Sequence, residues 1–418
     1  MEFRNLNENE FNDFSKNYPH SSFMQTIYLA NLKKELGSII HYVGVLKDNK
    51  VIAASLLLED KTILNKRMFY APRGLLVDYN DYNLLSFFTK EIKKYIKKHN
   101  GFVLTIDPNV IYRKRLSSGE IDINTQENKE PLNNLLKLGY IHKGFDLYLD
   151  RRQARWCYLL ELNKSYDELY KSFSKSTRHN IEYCSKKGLM VRKGDIKDLK
   201  VMQEIFDITG KRRDFFSRSL SYYEKMYKNM KDLMTIYIAY LDPKIYYEHT
   251  KSLLDEANNK YNEVLEKMKK DMIGDKLRKD KEIALKQIDK YKNELEKAKE
   301  FMNKYPSGKD IGCLLSLRSG NEYLTLSSGT LLEFRSFTPK YLMYETHIKD
   351  AIKEGFKYCN FYGITGDFNP KGKYYGIYEF KKGFNGNVIE YIGEFDLKCQ
   401  NFYNIYRILK KIKSIFRR

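Results

Sequence analysis

The sequence predicts a mixed α/β (α+β) fold in two tandem halves, with a long helical hairpin inserted in the second. Three observations predict it. Between Pro243 and Pro306 lies a proline-free, charge-rich stretch with a heptad apolar seam. The rest of the chain echoes itself: each half has antiparallel strands, an amphipathic helix and a buried strand opening on Gly-Phe, at Gly101 and again at Gly355. The 418 residues exceed one ordinary core and suit two domains plus an insertion.

The elements follow in order. His41 to Asp60 reads as a strand, a turn at Asp48-Asn49 and a second strand. After RMFYAPRGLLVDY (Arg67 to Tyr79), an amphipathic helix is expected near Asp81 to His99. A buried strand runs over Gly101 to Pro108. The second half opens on basic helical segments, Ser165 to Gly188 and Asp198 to Met230. Ser165 caps the first, with Glu168 three residues on. Leu233 to Asp242 is a strand that runs into the inserted stretch. There the apolar seam steps by three and four from Tyr247 to Met268 and, apart from one skipped position after Leu277, from Leu277 to Tyr305. Gly274 marks the reversal. The near-equal arms favour an antiparallel hairpin, about 45 Å long at about 1.5 Å per residue, over one long dimerising helix. Asp310 to Thr330 then returns two strands around Ser319-Gly320-Asn321. A helix near Pro339 to Glu354 and a buried strand over Gly355 to Gly366 complete the half. This order is that of an acyltransferase-type (GNAT-like) domain used twice. The expected limits are 1–150 for the first domain, with 395–418 packing back on it, 151–242 and 306–394 for the second, and 243–305 for the arm.

Net charge is +21 and the isoelectric point about 9.3. Such a balance favours an anionic partner: nucleic acid, a nucleotide-linked substrate or an acidic membrane face. The five cysteines are scattered, without CxxC or a Cys/His cluster, so neither a metal site nor a disulfide framework is expected. With no signal peptide and no run of about 18 apolar residues, a cytoplasmic protein is expected. Asn401 to Arg418 is a basic amphipathic helix. Two readings stand for it: packing on its own domain, or peripheral contact with the inner membrane face.

The common catalytic signatures (GxSxG, HExxH, a Walker loop, GxGxxG) are missing. Where an acyltransferase-type domain carries its Gly-rich coenzyme A loop, the halves read YAPRGLLVDYND and FRSFTPKYLMYE. An acyl donor other than coenzyme A is implied, and no cofactor is expected.

Several stretches resemble the Fem family of peptidoglycan interpeptide-bridge aminoacyltransferases. They are FYAPRGLLVD (Phe69 to Asp78), TIDPNV (Thr105 to Val110), TGKRRDFFSRSLSYYEKM (Thr209 to Met226), and YGITGDFNP with YGIYEFKKGFNGNVIEYIGEFDL (Tyr362 to Leu397). The resemblance spans nearly the whole chain, and the GIYEFKKGF block is its most specific part. It implies an aminoacyl-tRNA donor and, as acceptor, the stem peptide of a peptidoglycan precursor, as UDP-MurNAc-peptide or as lipid II. It also implies a helical arm like the one that contacts tRNA in seryl-tRNA synthetase. A monomer is expected. Two alternatives remain: a non-catalytic tRNA-binding protein with a coiled-coil arm, and a coenzyme-A-dependent acyltransferase.

Transfer of this kind has an amine attack an activated ester, so negative charge builds on the ester oxygen. A cation there stabilises it, and losing such a donor typically costs about 100- to 1,000-fold in rate. The resemblance assigns this to Lys381, with Phe380 beside it. On a strand, Lys382 would face the other way. Asp107, ending the GFVLTIDP strand, matches a family carboxylate that takes the amine proton or orients the ammonium. Glu394 matches another acidic position. Lys33 or Lys34, and Arg213 or Arg212, fall near positions that grip the acceptor's diphosphate. Tyr222 and Tyr223 are expected to line the peptide channel.

Overall fold

The computed structural model describes residues 1–149, 151–213, 217–270 and 274–415. The first half runs β1 (Glu2–Asn5), α1 (Glu8–Asn17), α2 (Ile27–Glu35), β2 (Ile39–Lys47), β3 (Lys50–Lys61), β4 (Arg67–Ala71), α3 (Tyr82–Lys98), β5 (Gly101–Ile106), β6 (Ile111–Arg115), α4 (Lys129–Lys137) and β7 (Tyr140–His142). Asp48 and Asn49 both take positive φ, as a tight two-residue hairpin turn requires. Asp81 caps α3 by accepting from the Leu84 N–H. The buried side of α3, including Leu85, Phe88, Ile92 and Ile96, packs in one core with β2 to β5.

The second half runs β8 (Trp156–Glu161), α5 (Tyr166–Ser172), α6 (Lys175–Lys186), β9 (Leu189–Gly194), α7 (Leu199–Arg213), α8 (Leu220–Met230), β10 (Met234–Leu241), α9 (Pro243–Lys270), α10 (Asp275–Lys304), β11 (Lys309–Ser319), β12 (Glu322–Thr330), α11 (Pro339–Lys353) and β13 (Tyr358–Ile364). The chain closes with α12 (Tyr375–Lys382), β14 (Asn387–Tyr391), β15 (Phe395–Lys398) and α13 (Phe402–Ile415). Ser165 and Glu168 make the expected capping box. Each of the two basic segments breaks into two helices.

The halves share a core topology. β2, β3 and β4 are antiparallel, and after α3 the chain returns as β5, parallel to β4. β10, β11 and β12 are antiparallel, and after α11 the chain returns as β13, parallel to β12. This is the acyltransferase-type order, duplicated. The two sheets also exchange strands. β6 leaves the first half to pair with β14 in the second sheet, although its residues fall within the expected first domain. β15, from the far end of the chain, lies between β5 and β7 in the first sheet.

α9 and α10 pack side by side. Tyr246 at the start of α9 meets Phe301 at the end of α10, with ring centroids 6.1 Å apart, so the helices are antiparallel. Thr250, Ala257, Ala284, Ile288 and Ala298 bury the seam. Gly274 caps α10, and residues 271–273 lie outside the described part.

One expected element differs. The GIYEFKKGF block, read as a strand carrying Lys381 and Lys382 on opposite faces, is the helix α12. Its Tyr and Phe content favours a strand, but the buried positions Tyr378 and Lys381, followed by Phe384, repeat every three residues. That is helical spacing, and tertiary burial overrides propensity here.

Candidate active site

A cleft of about 850 Å³ opens between the halves. The first half contributes Arg73, Tyr79 and Asn109; the second contributes Glu322, Asn387 and Tyr391. Arg73 also lines the two small cavities that adjoin the cleft. Its guanidinium donates from Nη2 to the Ala154 carbonyl at 2.8 Å and sits 4.3 Å over the Tyr391 ring. Burial works against the Arg73 charge, but Tyr391 and Asp107 outweigh it and hold the group protonated.

Arg73 has φ 51°, a left-handed backbone that a side chain disfavours. Its N–H donates to Asp107 Oδ1 at 2.6 Å, which fixes that turn. Asp107 also accepts from the Tyr70 hydroxyl at 2.6 Å. Burial pushes its carboxyl up to about 6, although Arg73 and both hydrogen bonds pull it down.

Lys381 does the matching job in the second half. Tyr362 is likewise left-handed, at φ 62°. Lys381 Nζ donates to the Tyr362 carbonyl at 3.2 Å and the Gly363 carbonyl at 2.7 Å. It is buried on α12, and burial pushes its ammonium down to about 7. A hydrogen-bonded chain runs from the Tyr362 side chain, whose backbone Lys381 holds, to Asp107. The Tyr362 hydroxyl donates to Gln153 Oε1 at 2.7 Å, Gln153 Nε2 donates to the Tyr70 hydroxyl at 3.3 Å, and Tyr70 donates to Asp107.

The other expected residues divide. Glu394 is buried beside Asp107 and raises its proton affinity, but Lys143 pairs with it at 2.7 Å. Lys33 is half-buried; burial, then Arg218 and Arg152, lower its proton affinity, with Asp60 opposing. Arg152 lies 4.5 Å over the Tyr70 ring and Arg218 5.1 Å over Tyr222. Lys33, Arg152, Arg218 and Tyr222 therefore form a cationic patch next to Tyr70. Lys34 is exposed on the same helix, and Arg212 is half-buried at the end of α7. The Arg213 side chain lies outside the described part.

Two expected residues are elsewhere. Tyr223, expected in the channel, packs in the core against Phe206, because its neighbour Tyr222 takes the outward face of α8. Phe380 does not share the direction of Lys381. It packs edge-on against Tyr341, Tyr344 and Phe384, about one-quarter turn round α12.

Sequence reasoning missed Arg73, Tyr70, Gln153, Tyr362, Glu322 and Tyr391 as site residues. Arg73 lay inside a quoted motif, and its Pro-Arg-Gly setting signalled a turn. Tyr70, Tyr362 and Tyr391 also lay inside quoted motifs, but as single aromatics with nothing to mark them, and Gln153 and Glu322 carried no local signal. Among the described residues no His/Cys/Asp/Glu cluster is arranged to hold a metal ion. Nor is any helix there long and apolar enough to cross a membrane.

The FemAB family model matches residues 6–411. The chain is 33% identical to the aminoacyltransferase FemA of Staphylococcus epidermidis, over 99% of this chain and 100% of that protein. It is 30% identical to FemA of Staphylococcus aureus, over 99% of each. Among solved structures it is similar to FemX, with a TM-score of 0.76 and 27% identity over 98% of this chain and 99% of that one. The chain belongs to the FemAB family and is an aminoacyltransferase of peptidoglycan bridge building.

Proposed function

We propose that the cleft joins an amino acid, carried as an ester on tRNA, to the stem-peptide amine of a peptidoglycan precursor, nucleotide-linked or lipid-linked. The observation that carries this is the buried Arg73, held by Asp107, lining a cleft between two acyltransferase-type halves, neither of which has a Gly-rich coenzyme A loop. The amine nitrogen attacks the ester carbonyl. The ester C–O bond breaks, and the amine's proton leaves for the released ribose oxygen.

Arg73, which lines the cleft, and Lys381, with one N–H left beyond its two carbonyl partners, stabilise the charge on the ester oxygen. Asp107 orients the amine and, through Tyr70, offers a route for its proton. Glu394 keeps Asp107 in tune from behind. The cationic patch of Lys33, Arg152 and Arg218 receives the acceptor's diphosphate, with Lys34 on the same helix as Lys33 and Arg212 and Arg213 at the end of α7. The α9–α10 arm and the basic helices α6 and α8 meet tRNA. The protein works on the cytoplasmic side as a monomer and needs no cofactor.

Mass spectrometry of muropeptides from cells with and without the protein tests this. One or more amino-acid masses disappear from the cross-bridge when the protein is removed. Identical muropeptides in both strains would contradict the proposal.

A further inference from the structure

Helix α13 presents an apolar face that none of the described residues covers. Tyr403 is buried, and Phe402 and Tyr406 each hold their rings 5.1 Å from Phe102, which anchors one side of the helix. Ile405, Ile408, Leu409 and Ile412 remain 52%, 59%, 42% and 45% exposed. At about 100° per residue these four fall within an arc of about 100°, roughly opposite Arg407. The sequence holds no acidic residue after Asp396, whereas Arg407, Lys410, Lys411 and Lys413 lie along the helix.

A second exposed apolar feature adjoins the first. The β3–β4 turn displays Ile63 and Leu64, 49% and 78% exposed. Lys66 ties that turn to the entry of α13, donating to Asn100 Oδ1 at 2.7 Å and to Gln400 Oε1 at 3.1 Å. Lys93 and Lys97 of α3 lie close enough to act electrostatically on Cys399, just before α13. One end of the first sheet thus carries isolated aliphatic side chains set among lysines.

We propose that this end of the molecule docks on an anionic lipid bilayer, with α13 lying in the plane of the interface. The aliphatic stripe enters the boundary between headgroups and acyl chains, and the lysines reach up to anionic headgroups. The helix is about 21 Å long, too short to span about 30 Å of hydrocarbon. Charge complementarity selects lipid over a second copy of this chain, since two such faces would bring like charges together.

The full chain is tested by co-sedimentation with vesicles of phosphatidylcholine containing phosphatidylglycerol, and with vesicles of phosphatidylcholine alone. Binding to the anionic vesicles is expected to be at least about tenfold tighter and to weaken with salt. The combined variant Ile405→Gln, Ile408→Gln, Ile412→Gln is expected to lose at least about tenfold in vesicle binding. Its melting temperature and its affinity for tRNA should stay unchanged. Three results would overturn the proposal: no binding to anionic vesicles, binding unaffected by the triple substitution, or a parent dimer that the substitutions convert to monomer. None of these readouts depends on the transfer reaction, so failure here is separable from failure of the proposed function.

Discussion

Arg73 and Tyr362 line one small cavity beside the cleft and share a backbone feature. Each sits at positive φ, and each is held there by one buried ionisable group, Asp107 on one side and Lys381 on the other. Backbone strain of this kind costs on the order of 1–3 kcal/mol per residue, and it persists where the surroundings over-determine it. The two groups are tuned towards each other. Asp107 is raised to about 6, so it is ionised above that pH; Lys381 is lowered to about 7, so it is charged below that pH. The proposed reaction uses the carboxylate and the ammonium together. The pH profile of kcat/KM is therefore a narrow bell with limbs near pH 6 and pH 7. Asp107→Asn removes the acid limb. Lys381→Met removes the alkaline limb and costs roughly 100-fold in kcat. A parent profile that is flat from about pH 5 to about pH 8 would contradict this assignment.

At the scale of elements, hydrophobic period and turn chemistry made most of the fold legible. The β2–β3 hairpin follows from Asp48-Asn49, α3 from its Asp81 cap and apolar stripe, and the inserted helices from their seam. Less legible was the GIYEFKKGF block, where strand-favouring residues were bent to helical spacing by burial. Tyr223 and Phe380 were misplaced for one reason: adjacent residues on a helix point about 100° apart, and a motif does not say which one faces the site. The network from Lys381 to Asp107 draws on five separate places in the chain, so no local pattern announces it.

The arm can be tested as an element. Its base is part of the second core, through Tyr246, Ala298 and Phe301, and must be kept. Packed helices lie about 8–10 Å apart, so a short Gly-Ser turn can replace residues 252–296. This trimmed protein should melt as the parent does. Its kcat/KM for the aminoacyl-tRNA donor should fall at least about tenfold, with a shallower dependence on salt. Unchanged donor kinetics would remove the arm from tRNA recognition.

At the scale of the whole molecule, the exchange of β6 and β15 between sheets makes the two halves one unit and fixes the cleft walls relative to one another. The duplication was legible from the repeated order of elements. The exchange was not, because short strands such as Ile111–Arg115 and Phe395–Lys398 carry too little pattern to name their partners. The net charge of +21 anticipated anionic partners without identifying them.

The most direct measurement of the central claim is transfer by the purified protein. It is incubated with glycyl-, seryl- or alanyl-tRNA and a precursor muropeptide, in nucleotide-linked and in lipid-linked form. The prediction is a new amide on the stem peptide with one free tRNA released per amino acid joined, strongly reduced in Arg73→Gln. No amide from any of the three donors with either acceptor, by protein that melts cooperatively, would contradict it.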